Sequence, residues 1–145
     1  MIPIFKIPDQ SFERARSLGP RITMRGVCSY ELVSPVSGNS AGYRFYVRQL
    51  ISSGRAFALF DGDRVIFKAD LGSVSANVSQ VQGVWLDPDL RGRGLAPPAM
   101  AAVVRLARSV TPTVSLYVND YNHAARATYS RVGFRTEGEF ATVLY

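Results

Sequence analysis

The chain has 145 residues, 47% of them hydrophobic and 19% charged, which is enough apolar material for one compact domain and too much for a disordered tail. Its formal charge of +6 favours anionic partners (a phosphorylated cofactor, nucleic acid, the ribosome or an acidic protein surface) without choosing among them. One cysteine, Cys28, excludes an internal disulfide, one histidine, His123, excludes a Cys/His zinc cluster, and no run approaches the roughly 18 apolar residues of a membrane-spanning helix.

Residues 2–7 read as a first strand, and the absence of a signal-peptide core at Met1-Ile2-Pro3-Ile4-Phe5-Lys6 implies a cytoplasmic protein. Asp9 is placed to cap a helix carrying Phe12, Ala15, Arg16 and Leu18, which Gly19-Pro20 interrupts. Residues 34–40, rich in Ser, Gly, Pro and Asn, read as a surface loop between two helices. Tyr43, Tyr46, Val47 and Leu50 recur at helical spacing, and Gly54 ends that helix.

Residues 55–60 and 64–69 flank the turn signal Asp61-Gly62 and predict a hairpin. Residues 71–77 then read as a loop, and residues 78–86 as a longer strand ending at Asp87-Pro88. A helix over residues 95–108 follows from Met100, Val103, Val104 and Ala107 at i, i+3, i+4 and i+7, with Pro97 and Pro98 tolerable only in its first turn. Residues 113–118 predict another strand, residues 122–131 a short helix with Gly133 as its C-cap, and residues 134–145 two terminal strands or one bent strand. With no repeat and no long linker, residues 1–145 read as a single domain.

The chemistry is expected where the strand at residues 78–86 meets the following helix, through Arg91-Gly92-Arg93-Gly94-Leu95-Ala96. Gly92 and Gly94 carry no Cβ, so main-chain N–H groups can approach a ligand, and the dipole and unpaired N–H groups of a helix start favour negative charge. Arg91 and Arg93 either add charge-assisted bonds to phosphates or stand solvated. The pattern lacks the Gly-Lys-Ser/Thr ending of a P-loop, and proline at position 97 breaks the dinucleotide fingerprint.

Arg91-x-x-Gly94-x-Ala96 resembles the Arg/Gln-x-x-Gly-x-Gly/Ala signature of the GNAT superfamily of N-acetyltransferases. The strand before it and Asn119-Asp120-Tyr121-Asn122-x6-Tyr129-x3-Gly133-Phe134 resemble the same family's flanking strand and distal signature. The likeness extends over nearly the whole chain, in the N-terminal third by pattern alone, and is nearest to the GNAT domain of certain actinobacterial two-domain proteins. It implies an α/β (α+β) fold, with a mixed, mostly antiparallel sheet flanked by about four helices.

The resemblance further implies that acetyl-CoA is the acyl donor, that no metal is used, and that an acetyl group passes directly to a primary amine on a small molecule, a peptide N-terminus or a protein lysine. Val84, Trp85 and Leu86 would bond the pantetheine arm through a splayed strand, and Gly92, Arg93, Gly94, Leu95, Ala96 and Pro97, with Arg91, would cover the pyrophosphate. Asn122 would bond the pantetheine or the acyl-transfer region, or serve only as an N-cap. Tyr129 matches the tyrosine that protonates the departing thiolate, its alternative being a core aromatic. Homodimers are common in the family.

A general base is needed because an ammonium must lose a proton before it attacks. Where some members carry a glutamate, this chain has Gln80, a neutral amide, so Gln80 and Gln82 are assigned to the substrate or a relay water. Tyr117 stands at another familiar acid position, and Glu31, Glu137 and Glu139 are remote candidates, which leaves the base unassigned. Two other readings stand beside transfer. Gln80 suits a catalytically silent CoA-binding sensor or interaction module, and the positive charge suits a ribosome- or nucleic-acid-binding module. Against the latter, only Lys6 and Lys68 are lysines and the arginines are dispersed, with no basic arm.

Overall fold

The computed structural model describes residues 2–7, 25–26 and 40–141. The helix expected after Asp9, the loop residues 34–39, Cys28, Glu31 and residues 142–145 lie outside the described residues. In chain order the elements are β1 (Ile2–Ile7), β2 (Arg25–Gly26), α1 (Ser40–Ser52), β3 (Ala56–Asp61), β4 (Arg64–Val74) and β5 (Val78–Leu86). A 3-10 turn (Pro88–Leu90), α2 (Ala96–Arg108), β6 (Thr113–Tyr117), α3 (His123–Val132) and β7 (Arg135–Phe140) complete them.

The strands form one sheet in the order β2-β3-β4-β5-β6-β1-β7. Every neighbouring pair is antiparallel except β5 and β6, which run parallel because α2 carries the chain from the end of one back to the start of the other. β1 lies between β6 and β7, pairing antiparallel with both. The mixed, mostly antiparallel sheet expected from the sequence is thus found, with three α-helices among the described residues. None of those helices is long and apolar enough to cross a membrane.

Alternation along the strands gives the sheet two unlike faces. Phe57, Phe67, Ala69, Leu71 and Val81 point to one side, where Met100, Val103 and Val104 of α2 and Val132 of α3 close a dry core. Burying each large side chain there contributes on the order of 1.5–3 kcal/mol. On the other side the cross-strand partners Ala56 with Asp70 and Ala58 with Lys68 share a surface. The two small alanines leave room for α1, which buries Val47 and Leu50.

β4 corrects the sequence reading, since it runs on to Val74 where residues 71–77 were expected to form a loop. The pairing slips between Leu71 and Ser73, so Gly72 is an extra residue in a bulge that breaks the period-2 pattern. Leu71 is fully buried in the core, and only residues 75–77 turn, with Ser75 bonded to Val78 through both main chain and hydroxyl. The two-residue β2, paired with Ala58 and Phe57 of β3, was not anticipated.

Candidate functional site

The two edges of β5 behave differently. Toward β4 it pairs along its length, whereas toward β6 the pairing covers Val78 to Val81 against Thr113 to Leu116 and then stops. Gln82 to Leu86 therefore leave main-chain polar groups on that edge for an extended, amide-bearing ligand, much as a sheet edge accepts a peptide. A second bulge marks the fork: Gly83 and Val84 together oppose Ala69, and Gly83 has φ +60. Of the three predicted strand residues, Val84 and Leu86 pack on the dry core, while Trp85 lies on the opposite face across from Lys68.

The turn after β5 is tied down at its root. Asp87 is buried, its Oδ1 accepts from the Asp89 N–H at 3.0 Å, its own N–H donates to Ile66 O at 2.9 Å, and Arg64 pairs with its other oxygen. Sequence reading treated Asp87 only as a strand stop, although an Asp-Pro before a glycine turn is a cap signal. Arg91 folds back to donate from Nε to Leu86 O at 3.2 Å. Gly92 and Gly94 have φ +73 and +74, Arg93 between them is exposed, and among the described residues no atom beyond the chain neighbours lies within 4 Å of a Cβ built on either glycine.

α2 starts at Ala96 after Leu95, which offers no side-chain cap. Pro97, which is buried, and Pro98 bring no N–H to the first turn, so the donors for an anion must come from residues 92–95 of the turn and from Ala96 at the helix start. Open space, two left-handed glycines and a fixed root fit a pyrophosphate.

In α3, Asn122 is the N-cap, its Oδ1 accepting from the Ala125 N–H at 3.2 Å, and Gly133 closes the helix in the left-handed conformation. His123 is exposed at the first helical position. Tyr129 is 6% exposed and meets Phe134 edge-on at 5.9 Å between ring centroids. Burial pushes its hydroxyl up to about 12, so it keeps its proton at neutral pH.

The face under α1 gathers the polar groups. The Gln82 amide lies over Gly72 and donates from Nε2 to the Tyr46 hydroxyl. Gln80, half-buried, sits in register with Ser73 and Ser115. Asp70 and Lys68, which sequence reading passed over, stand beside them, with Lys68 Nζ 3.9 Å from Asp70 Oδ2. Burial holds the Asp70 carboxyl above its ordinary range, partly offset by Lys68. The available signal was alternation, for Lys68 and Asp70 interleave with Phe67, Ala69 and Leu71. Glu137 and Glu139 are exposed on β7, with β6 and β1 between them and β5, and Tyr117 is exposed at the end of β6.

The sequence pattern of the Acetyltransferase (GNAT) family matches residues 33–134. No curated protein matches the chain. Among solved structures, an acetyltransferase of the GNAT family from Colwellia psychrerythraea superposes with a TM-score of 0.74 at 14% identity, over 94% of this chain and 52% of its own. AAC(6')-Iy in complex with the bisubstrate analog CoA-S-monomethyl-acetylneamine gives 0.60 at 15%, over 100% of this chain and 98% of its own. The aminoglycoside 6'-N-acetyltransferase AAC(6')-IG from Acinetobacter haemolyticus gives 0.53 at 16%, over 98% and 97%. At these identities the likeness is one of fold, and the chain spans about half the length of the Colwellia protein.

Proposed function

The chain belongs to the acetyltransferase (GNAT) family, and from that premise we propose that it moves the acetyl group of acetyl-CoA directly to a primary amine in the cytoplasm, without a covalent enzyme intermediate. The observation that carries this reading is the conjunction on one strand of an edge left open beyond Val81 and a turn whose two glycines stand at positive φ in open space. The edge at Val84, Trp85 and Leu86 takes the pantetheine arm, and Gly92, Arg93, Gly94, Leu95 and Ala96 offer their N–H groups to the pyrophosphate. Pro97 lines that cradle without donating. Arg91 braces the turn through Leu86 O, and Asn122, with its oxygen committed to the cap, has its amide nitrogen for the donor.

Tyr129, kept protonated by burial, supplies the proton to the departing thiolate. The amine approaches over the face that holds Gln80 and Gln82. Two of the three structures compared above are aminoglycoside acetyltransferases, but a chain of charge +6 repels a polycation, which favours an acceptor with a single ammonium on a small molecule, peptide N-terminus or lysine. A silent CoA-binding module is the second reading, favoured by the neutral Gln80.

Thermal melts with acetyl-CoA, longer acyl-CoAs and free CoA, followed by thiol-release assays over a panel of primary amines and N-terminal peptides, test the proposal. Stabilisation by acetyl-CoA together with thiol release is the expected result. No stabilisation sinks donor binding, and stabilisation without thiol release favours the silent module.

A further inference from the structure

We propose that Asp70 is the general base that takes the proton from the acceptor ammonium, an assignment that rests on the transfer reaction proposed above. Asp70 Oδ2 lies 2.9 Å from the point where a Cβ on Gly83 would stand. Gly83 is the bulge residue just past Val81, where β5 parts from β6, so the carboxylate reaches over the fork and only the missing side chain at position 83 lets it do so. Asp70 is opposite Gln82 in register, on the face that α1 covers through Tyr46, which is the side from which the amine is taken to approach. Its side chain keeps 11% exposure, enough for a ligand atom to reach while most bulk water is excluded.

Among the described residues, few groups face Asp70. From its own strand comes the Lys68 ammonium at 3.9 Å, and from α1 comes the Tyr46 hydroxyl, through the Gln82 amide. Its cross-strand partners Ala56 and Gln82, and Gly83 beside its carboxylate, do not titrate. Burial raises the Asp70 carboxyl above its ordinary value, which makes it a stronger base than a solvated carboxylate, and the nearby Lys68 partly offsets that rise. Gln80, at the place of the familiar glutamate, has no such capacity.

The step balances as follows. The ammonium gives one proton to Asp70 and its lone pair forms the C–N bond to the thioester carbonyl. As the tetrahedral species collapses the C–S bond breaks, its electron pair leaves on sulfur, and the thiolate takes the Tyr129 hydroxyl proton. The second proton shed by nitrogen restores Tyr129, and the proton on Asp70 passes to solvent.

Asp70→Asn and Asp70→Glu, compared with the unaltered chain, test the assignment by thiol release across pH, thermal melts and acetyl-CoA titration. The probes are two primary amines, an alkylamine protonated at neutral pH and an aniline that is not. For Asp70→Asn with the alkylamine, kcat falls about 100-fold at neutral pH and recovers only as pH nears the amine's own pKa. With the aniline the loss is at most a few-fold, Asp70→Glu restores part of the rate, and acetyl-CoA affinity is unchanged. Because the folded carboxyl titrates above its unfolded value, its charge disfavours the fold at neutral pH, so the Asn variant melts at the same temperature or higher. Equal losses for both amines, an unchanged pH profile, or a rate loss matched by falls in melting temperature and donor affinity overturns the assignment while leaving the transfer reaction standing. If the unaltered chain neither binds acetyl-CoA nor releases thiol, the transfer reaction itself falls, and the role of Asp70 with it.

Discussion

Strand β4 holds both characters of the molecule in alternation. Phe67, Ala69 and Leu71 face the helices α2 and α3 and are fully buried, while Lys68 and Asp70, one residue out of step, face α1 with Gln82 and Tyr46. The first face is held by volume: large side chains fill the space, and its tolerance is that of any close-packed core. The second is held by what has been left out, at Ala56, Ala58, Gly72 and Gly83, whose small size leaves room for polar groups. Close packing and most of the polar groups are thereby assigned to opposite sides of one sheet, with Tyr129 the one proposed catalytic group on the packed side.

Truncating the dry face gives the largest effect. Phe67→Ala is expected to cost about 3–5 kcal/mol in urea melts, with acetyl-CoA affinity of the molecules that remain folded close to the original. A large affinity loss would mean that the faces are not separable.

Tyr129→Phe comes next, with thiol-release kcat reduced about 100-fold and acetyl-CoA binding unchanged by calorimetry. The same variant has a pH signature. Because the folded hydroxyl titrates near 12 and the unfolded one near 10, the native chain keeps a proton that the unfolded chain has lost, so stability falls as pH rises through that window. The phenylalanine variant lacks this alkaline step in pH-dependent melts.

Gly94→Val forces a β-branched residue to φ +74, a conformation that costs on the order of 1–2 kcal/mol. Acetyl-CoA affinity is expected to drop about tenfold, read by thermal shift or calorimetry, with kcat at saturation retained. The smallest effect is expected from Gly72→Ala, whose Cβ would stand 2.0 Å from Cδ of Gln82. The amide must leave Tyr46, and KM for the amine should rise by roughly the two- to ten-fold that one neutral hydrogen bond is worth, with acetyl-CoA affinity intact. If donor affinity moves with it, Gln82 serves the cofactor edge instead.

The dry face and the turn were legible in the sequence because each follows a local rule. Met100, Val103, Val104 and Ala107 mark one helix face, and two glycines between a strand and a helix mark an anion cradle. The polar face was not, because its signal is spread over β4, β5 and α1 and crosses two bulges. Reading β4 as ending at Ala69 removed Asp70 from the sheet altogether, since Gly72 looks like a turn residue until its partner Gln82 is known. Asn122 shows the converse limit, where capping and ligand binding use the same residue type and only the bond to Ala125 records the cap.

The position of β1 bears on how the chain is made. It leaves the ribosome long before β6 and β7, the two strands between which it inserts, so during synthesis its hydrogen-bonding groups have no sheet to join. β7 has no other described neighbour than β1. The last stretch of sheet therefore closes only after β7 has emerged, and contacts so distant in sequence form slowly. A fusion or tag that delays β1 would expose that end of the sheet to other chains, and aggregation during expression, not loss of activity in the purified protein, is where its effect would be seen.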